Sequence, residues 1–262
     1  MATSRNYGLI LLLIIASLTS CDDKDTTDDF GDGSGIKGRI NVQNEFEQPL
    51  YDDRSGINVK LEVGFRDFDV VANNVGEWQL AGAPTGTYKI TYSKAGYSTI
   101  VQRGIKLSYT IPVYPVDNMF QKLPSVAITK LPTTQFNDFE LALNATPVGQ
   151  DTIYTLNLSA VMLPAPPPTG HKKGYRIFIG KDETVSSENY LYQEYFNTNS
   201  ANISQTYDNA WFTEIGIHSG DAIYAAIYGD ASFNLEGEND EGETTFPNIS
   251  VEPGAVSSVV LP

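Results

Sequence analysis

Residues 57–63 read Ile57-Asn58-Val59-Lys60-Leu61-Glu62-Val63, and residues 76–90 hold Gly76-Glu77-Trp78-Gln79-Leu80, then Ala83-Pro84-Thr85-Gly86-Thr87-Tyr88, then Ile90. In the first run apolar and polar side chains alternate, which is the period of a strand with one buried face. In the second, Pro84 and Gly86 set a tight turn, because proline fixes its φ and glycine accepts backbone conformations that other residues avoid. The strands on either side of that turn then carry Trp78, Leu80, Tyr88 and Ile90 on their inward faces. The pattern predicts a β-sandwich that begins near residue 36.

The alternation resumes downstream in Phe139, Leu141 and Leu143, in Tyr154, Leu156, Leu158, Ala160 and Met162, and in Tyr175, Ile177 and Ile179. It continues in Ala222, Tyr224, Ala226 and Tyr228, and Val256 to Leu261 supplies a last strand. Pro164-Ala165-Pro166-Pro167-Pro168 is a stiff polyproline connection. No sustained helical period exists, although Ser187 to Tyr195 fits a helical turn. Residues 113–124, VYPVDNMFQKLP, contain two prolines and no clean period, so the domain boundary is expected there. The fold class that follows is all-β, with two β-sandwich domains in tandem over residues 36–116 and 117–262.

The motifs Gly-x-aromatic-x-Leu at 76–80, Pro-x-Gly-x-Tyr at 84–88 and Ala95-Gly96-Tyr97 resemble the carboxypeptidase regulatory-like domain, a transthyretin-like sandwich. This resemblance covers residues 36 to about 110 and implies an accessory module without catalytic residues. The zinc-binding catalytic domain of carboxypeptidases has no counterpart in the sequence. Gly174 to Gly180 and Gly220 to Tyr224 loosely resemble two strands of a fibronectin type III or immunoglobulin-like domain, which implies a sandwich of that kind for the second half.

At the other end, Arg5 precedes Leu9 to Ala16, an unbroken apolar stretch of eight residues. A bilayer span needs about 20, so the stretch reads as the core of a signal peptide over residues 1–20. Leu18-Thr19-Ser20-Cys21 resembles the lipobox of bacterial lipoproteins. That resemblance implies cleavage before Cys21 and acylation of Cys21, hence a membrane contact through a lipid anchor. Cys21 is the only cysteine, so no disulfide is expected. Residues 22–35 hold six aspartates, one lysine and three glycines, too polar to bury a core, and residues 21–35 form a lipid-bearing tether. Cys21-Asp22-Asp23-Lys24-Asp25 resembles the acidic export signal of Bacteroidetes surface lipoproteins, which implies an outer-membrane protein facing outward. An aspartate after the cysteine is also an inner-membrane signal in enterobacteria, and a periplasm-facing protein stays open.

With 17 basic and 32 acidic residues the formal charge is −15. Such a surface repels phosphate backbones and anionic headgroups, which argues against nucleic acid as a partner and against a polybasic membrane interaction. The two histidines, His171 and His218, lie far apart, and no HExxH, Cys/His cluster, Gly-x-Ser-x-Gly or phosphate-binding glycine loop is present. Glycoside hydrolysis needs only two carboxylates at a set separation, a geometry that sequence cannot supply. The acidic loop 236–243 makes Glu238, Asp240 and Glu241 candidate calcium ligands, calcium being the one cofactor the sequence leaves open. A solvated charge run is the other reading of that loop.

Aromatic residues crowd Asn189 to Phe196, and Trp211 follows in what reads as a loop. Tyr190, Tyr192 and Trp211, with Asn189 and Asp208, are therefore candidate ligand-binding residues. A ring can cover the apolar face of a sugar while amide and carboxylate groups bond its hydroxyls. Rings in a sandwich also fill cores, which is the reading for Trp78. The leading functional expectation is a non-catalytic surface lipoprotein that binds an extracellular glycan or a surface-protein partner, or assists glycan uptake. A structural subunit of a fimbria or another surface assembly is the second reading, and a carboxylate-dependent hydrolase the third.

Overall fold

The computed structural model describes residues 34–262 except residues 111, 113, 168 and 169. The signal peptide, Cys21 and nearly all of the tether lie outside the described residues. The chain is all-β, in two sandwiches. In the first, one sheet runs β3 (Arg66–Val71), β2 (Asn58–Val63), β5 (Gly86–Ser93), β6 (Ile100–Leu107). The facing sheet is built on β1 (Gly35–Gln43), which pairs antiparallel with β4 (Glu77–Ala81).

The other edge of β1 is shared. Its first half pairs parallel with β8 (Phe120–Lys122), which carries β7 (Val116–Asp117), and its second half pairs parallel with β9 (Val126–Thr129). Leu123, Val126 and Ile128 are buried in the same core as Ile40, Val59 and Trp78. The boundary expected at residue 116 is thus displaced: residues 116–129 complete the first sandwich, and the second begins after residue 130. Two- to four-residue strands interrupted by prolines show no period, which is why the pattern breaks early.

The turn motif has a local cause. Tyr88 Oη donates to the carbonyl of Pro84 at 2.6 Å, tying the strand to the turn that precedes it. Gly86 has φ +154°, and a Cβ there would come within 2.6 Å of Val63 Cγ2. Gly38 lies opposite Trp78, and a Cβ at Gly38 would meet the indole at 2.7 Å, so the small residue makes room for the large one.

In the second sandwich β10 (Gln135–Val148), β11 (Asp151–Leu163) and β14 (Asn202–Tyr207) form one sheet. The other runs β13 (Tyr192–Thr198), β12 (Lys173–Gly180), β15 (Ala222–Asp230), β18 (Ala255–Val260). Leu156, Leu158, Ala160 and Met162 of β11 and Tyr175, Ile177 and Ile179 of β12 are buried between them, as their alternation requires. On β15 the core-facing residues are Ile223, Ala225 and Ile227. Ala226 and Tyr228 are buried on the opposite face, with Phe178, under Phe246 and Val185. Both faces of β12 and β15 are covered because the segments 181–191 and 231–250 fold over the outside of the sheet. The helical turn expected at 187–195 is absent, since β13 occupies its second half; a short helix, α1 (Asn209–Glu214), lies instead around Trp211.

Candidate functional site

The sandwiches meet at the end of β1 farthest from the tether. Ser232 N donates to Glu45 O at 2.8 Å, Lys173 pairs with Glu45, and Gln48 Nε2 lies 3.0 Å from His171 Nε2. His171 is half-buried here against Phe46, with ring centroids 5.5 Å apart.

Beside this junction a cleft of about 1200 Å³ opens between the domains. One wall is the outer face of β5 and β6, with Lys89, Thr91 and Arg103; the other is formed by residues 187–190 and 238–251. A hairpin of β16 (Gly237–Glu238) and β17 (Thr244–Thr245) edges the second wall. Its turn is set by Asn239, whose Oδ1 accepts from Glu241 N at 3.0 Å and Glu243 N at 2.8 Å. Asp240, at the tip, spans the cleft: Lys89 lies 2.5 Å away and Arg103 2.7 Å. Lys89 and then Arg103 hold its carboxyl below the usual range. Tyr97 lines the floor, and burial, then its bond to Asp53, pushes its hydroxyl up to about 12.

The expected site residues divide into two groups. Asn189 and Tyr190 line the cleft. Tyr190 is half-buried, its ring 5.2 Å from Phe178 and 5.9 Å from Phe246, so the packed side is fixed by the core. Asn189 Nδ2 donates to Thr184 Oγ1 at 2.6 Å. Tyr192 and Trp211 belong elsewhere, to a cluster with Tyr207 on the second core. Trp211 stacks on Tyr207 at 4.3 Å and meets Tyr192 edge-on at 5.2 Å. Asp208 is the N-cap of α1, accepting from Trp211 N at 3.1 Å, so it shapes the helix instead of reaching for a ligand. Trp211 is therefore a helix residue anchored on the core, not a loop ring. Burial, then Glu194, pushes the Tyr192 hydroxyl up to about 12.

Glu238, Asp240 and Glu241 are exposed on the cleft hairpin. Asp240 is committed to two cations, and among the described residues no group of three or more His, Cys, Asp or Glu is arranged to hold a metal ion. The geometry therefore lends the calcium expectation no support. Lys89, Arg103 and Phe246 are cleft residues that the sequence did not single out, because only the domain packing brings them together.

A second polar network lies under the outer wall. Arg176, wholly buried, donates from Nε to Asp230 Oδ2 at 3.1 Å and from Nη1 to Glu236 Oε1 at 3.2 Å. It also reaches Gln193 and Asn234, and its guanidinium lies 4.4 Å from the Phe246 ring centroid. Burial pushes the Asp230 carboxyl up to about 6 against the pull of Arg176. The network fixes segment 231–246 on the sheet and so positions the cleft wall.

Fold and site together define an all-β tandem sandwich with a cleft between its domains. Among solved structures it is similar to a DUF3823 family protein from Parabacteroides merdae, with 14% identity, TM-score 0.28, and 76% of this chain and 92% of that chain covered. It is also similar to a Bacteroides uniformis protein provisionally named a carbohydrate binding protein, with 13% identity, TM-score 0.28, and 87% and 100% covered. The major pilin SpaD of Corynebacterium diphtheriae gives 12% identity, TM-score 0.29, and 78% and 62% covered. At scores this low the likeness carries no argument about function. No protein-family model and no curated protein matches the chain.

Proposed function

We propose that the chain is a non-catalytic, lipid-anchored surface protein whose interdomain cleft holds an extracellular glycan. The observation that carries this reading is the cleft itself: about 1200 Å³ of space with the Tyr190 ring at its wall. Small-ligand sites are commonly about 300–1000 Å³, so the space suits an oligosaccharide better than a single sugar. Thr91, Thr99 and Glu238 supply donors and acceptors around it. Against catalysis stands the placement of the carboxyls held above their ordinary range. Glu45 and Asp230 are engaged in ion pairs at the junction and under the wall, away from the cleft lining. The first sandwich, by its resemblance to regulatory-like domains, serves as the cleft's rigid wall.

Calorimetric titration of the mature protein with a panel of plant, mucin-type and microbial oligosaccharides tests the reading. Tyr190→Ala should weaken binding at least about tenfold, the loss expected for a buried ring contact of ~1.4 kcal/mol. Thr99→Trp, at an exposed cleft position, should block it without touching either core. Binding indifferent to both substitutions would place the ligand elsewhere, and no binding across the panel would remove the glycan reading.

A further inference from the structure

The described chain starts at one pole of the first sandwich. Gly82 N donates to Ser34 O at 2.8 Å and Gly35 N donates to Met119 O at 3.1 Å. Gly35 is paired with Ala81 on one side and Phe120 on the other. Loop 82–85 leads from Ala81 into β5, where Tyr88 is paired with Val63, beside the Gly64-Phe65 turn. The point where the tether leaves, the β2–β3 turn and the β7–β8 turn therefore share this pole. Glu45, Gln48 and Lys130, at or near the junction with the second sandwich, lie past the far ends of β1 and β9.

Two apolar side chains project from the tether pole. Phe65 is fully exposed and Met119 is 55% exposed, each at a hairpin turn where polar residues are the norm. Cations flank them: Lys37 and Lys122 are register partners on β1 and β8, and Lys106 is exposed one residue from the end of β6. The nearby acids are partly neutralised, Asp117 by Lys37 at 2.7 Å and Asp67 by Lys60 at 3.1 Å. In a chain of net charge −15, whose tether aspartates lie outside the described residues, Lys106 and Lys122 stand beside the exposed apolar tips with no acid paired to them among the ion pairs of this pole.

We infer that this pole docks on an anionic lipid surface, with Phe65 and Met119 seated at the boundary between headgroups and acyl chains. Lys106 and Lys122 then lie over lipid phosphates. The inference rests on the proposed acylation of Cys21. Twelve residues separate Cys21 from Ser34, a reach of at most ~45 Å over thirteen extended steps, so the anchor holds this pole near the bilayer. Tethering makes weak contacts count, because the second contact becomes intramolecular. Separate projecting tips with basic flanks fit a deformable lipid interface better than a flat protein partner.

The test uses the full chain, exported and acylated, with Phe65→Cys, Met119→Cys or, as a control on the second sandwich, Val148→Cys. Acylation blocks Cys21, the one native cysteine, so each variant takes a single nitroxide. In vesicles of phosphatidylethanolamine and phosphatidylglycerol, labels at 65 and 119 should lose collisions with an aqueous nickel chelate and gain collisions with oxygen. The label at 148 should stay aqueous, and phosphatidylcholine vesicles should weaken the effect. Labels at 65 and 119 as accessible to the chelate as that at 148 would overturn the inference. Two nitroxides per chain would show a free Cys21 and sink the anchor. The docking would then be decided by the same depth measurement on chains added to vesicles: immersion supports it and aqueous exposure refutes it.

Discussion

Lys173 Nζ of β12 stands 3.8 Å from Glu45 Oε1, across the junction of the two sandwiches. The lysine side chain is only 4% exposed and the glutamate 21%. Burial pushes the Glu45 carboxyl up and the Lys173 ammonium down, and each partner opposes the other's shift. The gap exceeds a hydrogen bond; Nζ donates instead to Thr134 Oγ1 at 3.1 Å and Pro164 O at 3.3 Å. The pair fixes one sandwich against the other, and with it the width of the cleft.

The losses from removing each member should not add. Breaking a buried pair costs ~3–5 kcal/mol, and the partial exposure of Glu45 reduces this to about 1–2 kcal/mol for Glu45→Gln. Lys173→Met should cost a similar amount by stranding the carboxylate. The double variant, with neither charge, should be more stable than the sum of the two losses predicts. Urea unfolding of the three variants measures the coupling, and strict additivity would show that the charges do not interact.

Arg176→Met should destabilise by ~3–5 kcal/mol near neutral pH, because it leaves Asp230 in the interior without its counter-charge. The pH dependence has a definite sign. Asp230 titrates at about 6 in the fold against 3.8 as a free side chain, so the native state holds the proton more tightly. Its contribution to stability is full below 3.8 and is lost as pH rises through about 6. Without Arg176, whose charge pulls that value down, the loss moves to higher pH and deepens. The deficit of the variant relative to the parent should therefore shrink on acidification from neutral pH toward ~5. Thermal melts of both proteins across that range check it; a constant difference would mean that Asp230 is not the group left unpaired.

Trp211→Ala should lower stability by about 2–3 kcal/mol, somewhat below the ~3–5 of a fully buried ring, because the indole keeps part of its surface in solvent. It opens a gap against Tyr207 and Tyr192. Glycan affinity in the cleft should not change, since Trp211 is not among the lining residues. A variant with unaltered unfolding and lost binding would return the ligand to this cluster.

Much of this architecture is legible in strands that bury one face. Val59, Leu61, Leu156 and Leu158 announce their sheets because alternation in sequence is alternation in space. Strands β12 and β15 are harder: with both faces covered, Tyr228 and Ile227 are equally buried and the register reads either way. The candidate site was half legible. Tyr190 and Asn189 reach the cleft, whereas Tyr192 and Trp211 share only sequence proximity or ring chemistry with them. Whether a ring faces core or solvent depends on α1, whose Asp208 cap is a single residue in an otherwise strand-like region. The opposite wall, Lys89 and Arg103, is reached only through the domain packing.

The extent of the first domain gives the last prediction. Strand β1 has two partners along one edge, β8 for Gly35 to Lys37 and β9 for Ile40 to Gln43. Ending the domain at residue 116 removes both and exposes the backbone groups of β1 they satisfy. It also removes Leu123, Val126 and Ile128, which are 2%, 7% and 0% exposed. Each such side chain contributes ~1.5–3 kcal/mol on burial, so three together contribute on the order of 5–9 kcal/mol. That is comparable to the whole stability of a small domain, about 5–15 kcal/mol. A fragment of residues 34–116 should therefore be unfolded, with collapsed amide dispersion. A fragment of residues 34–131, which keeps β8, β9 and the Tyr97–Lys130 bridge, should give a dispersed spectrum and a cooperative urea transition. If the shorter fragment folds as well as the longer one, segment 117–131 is an appendage of the first sandwich and not part of its core.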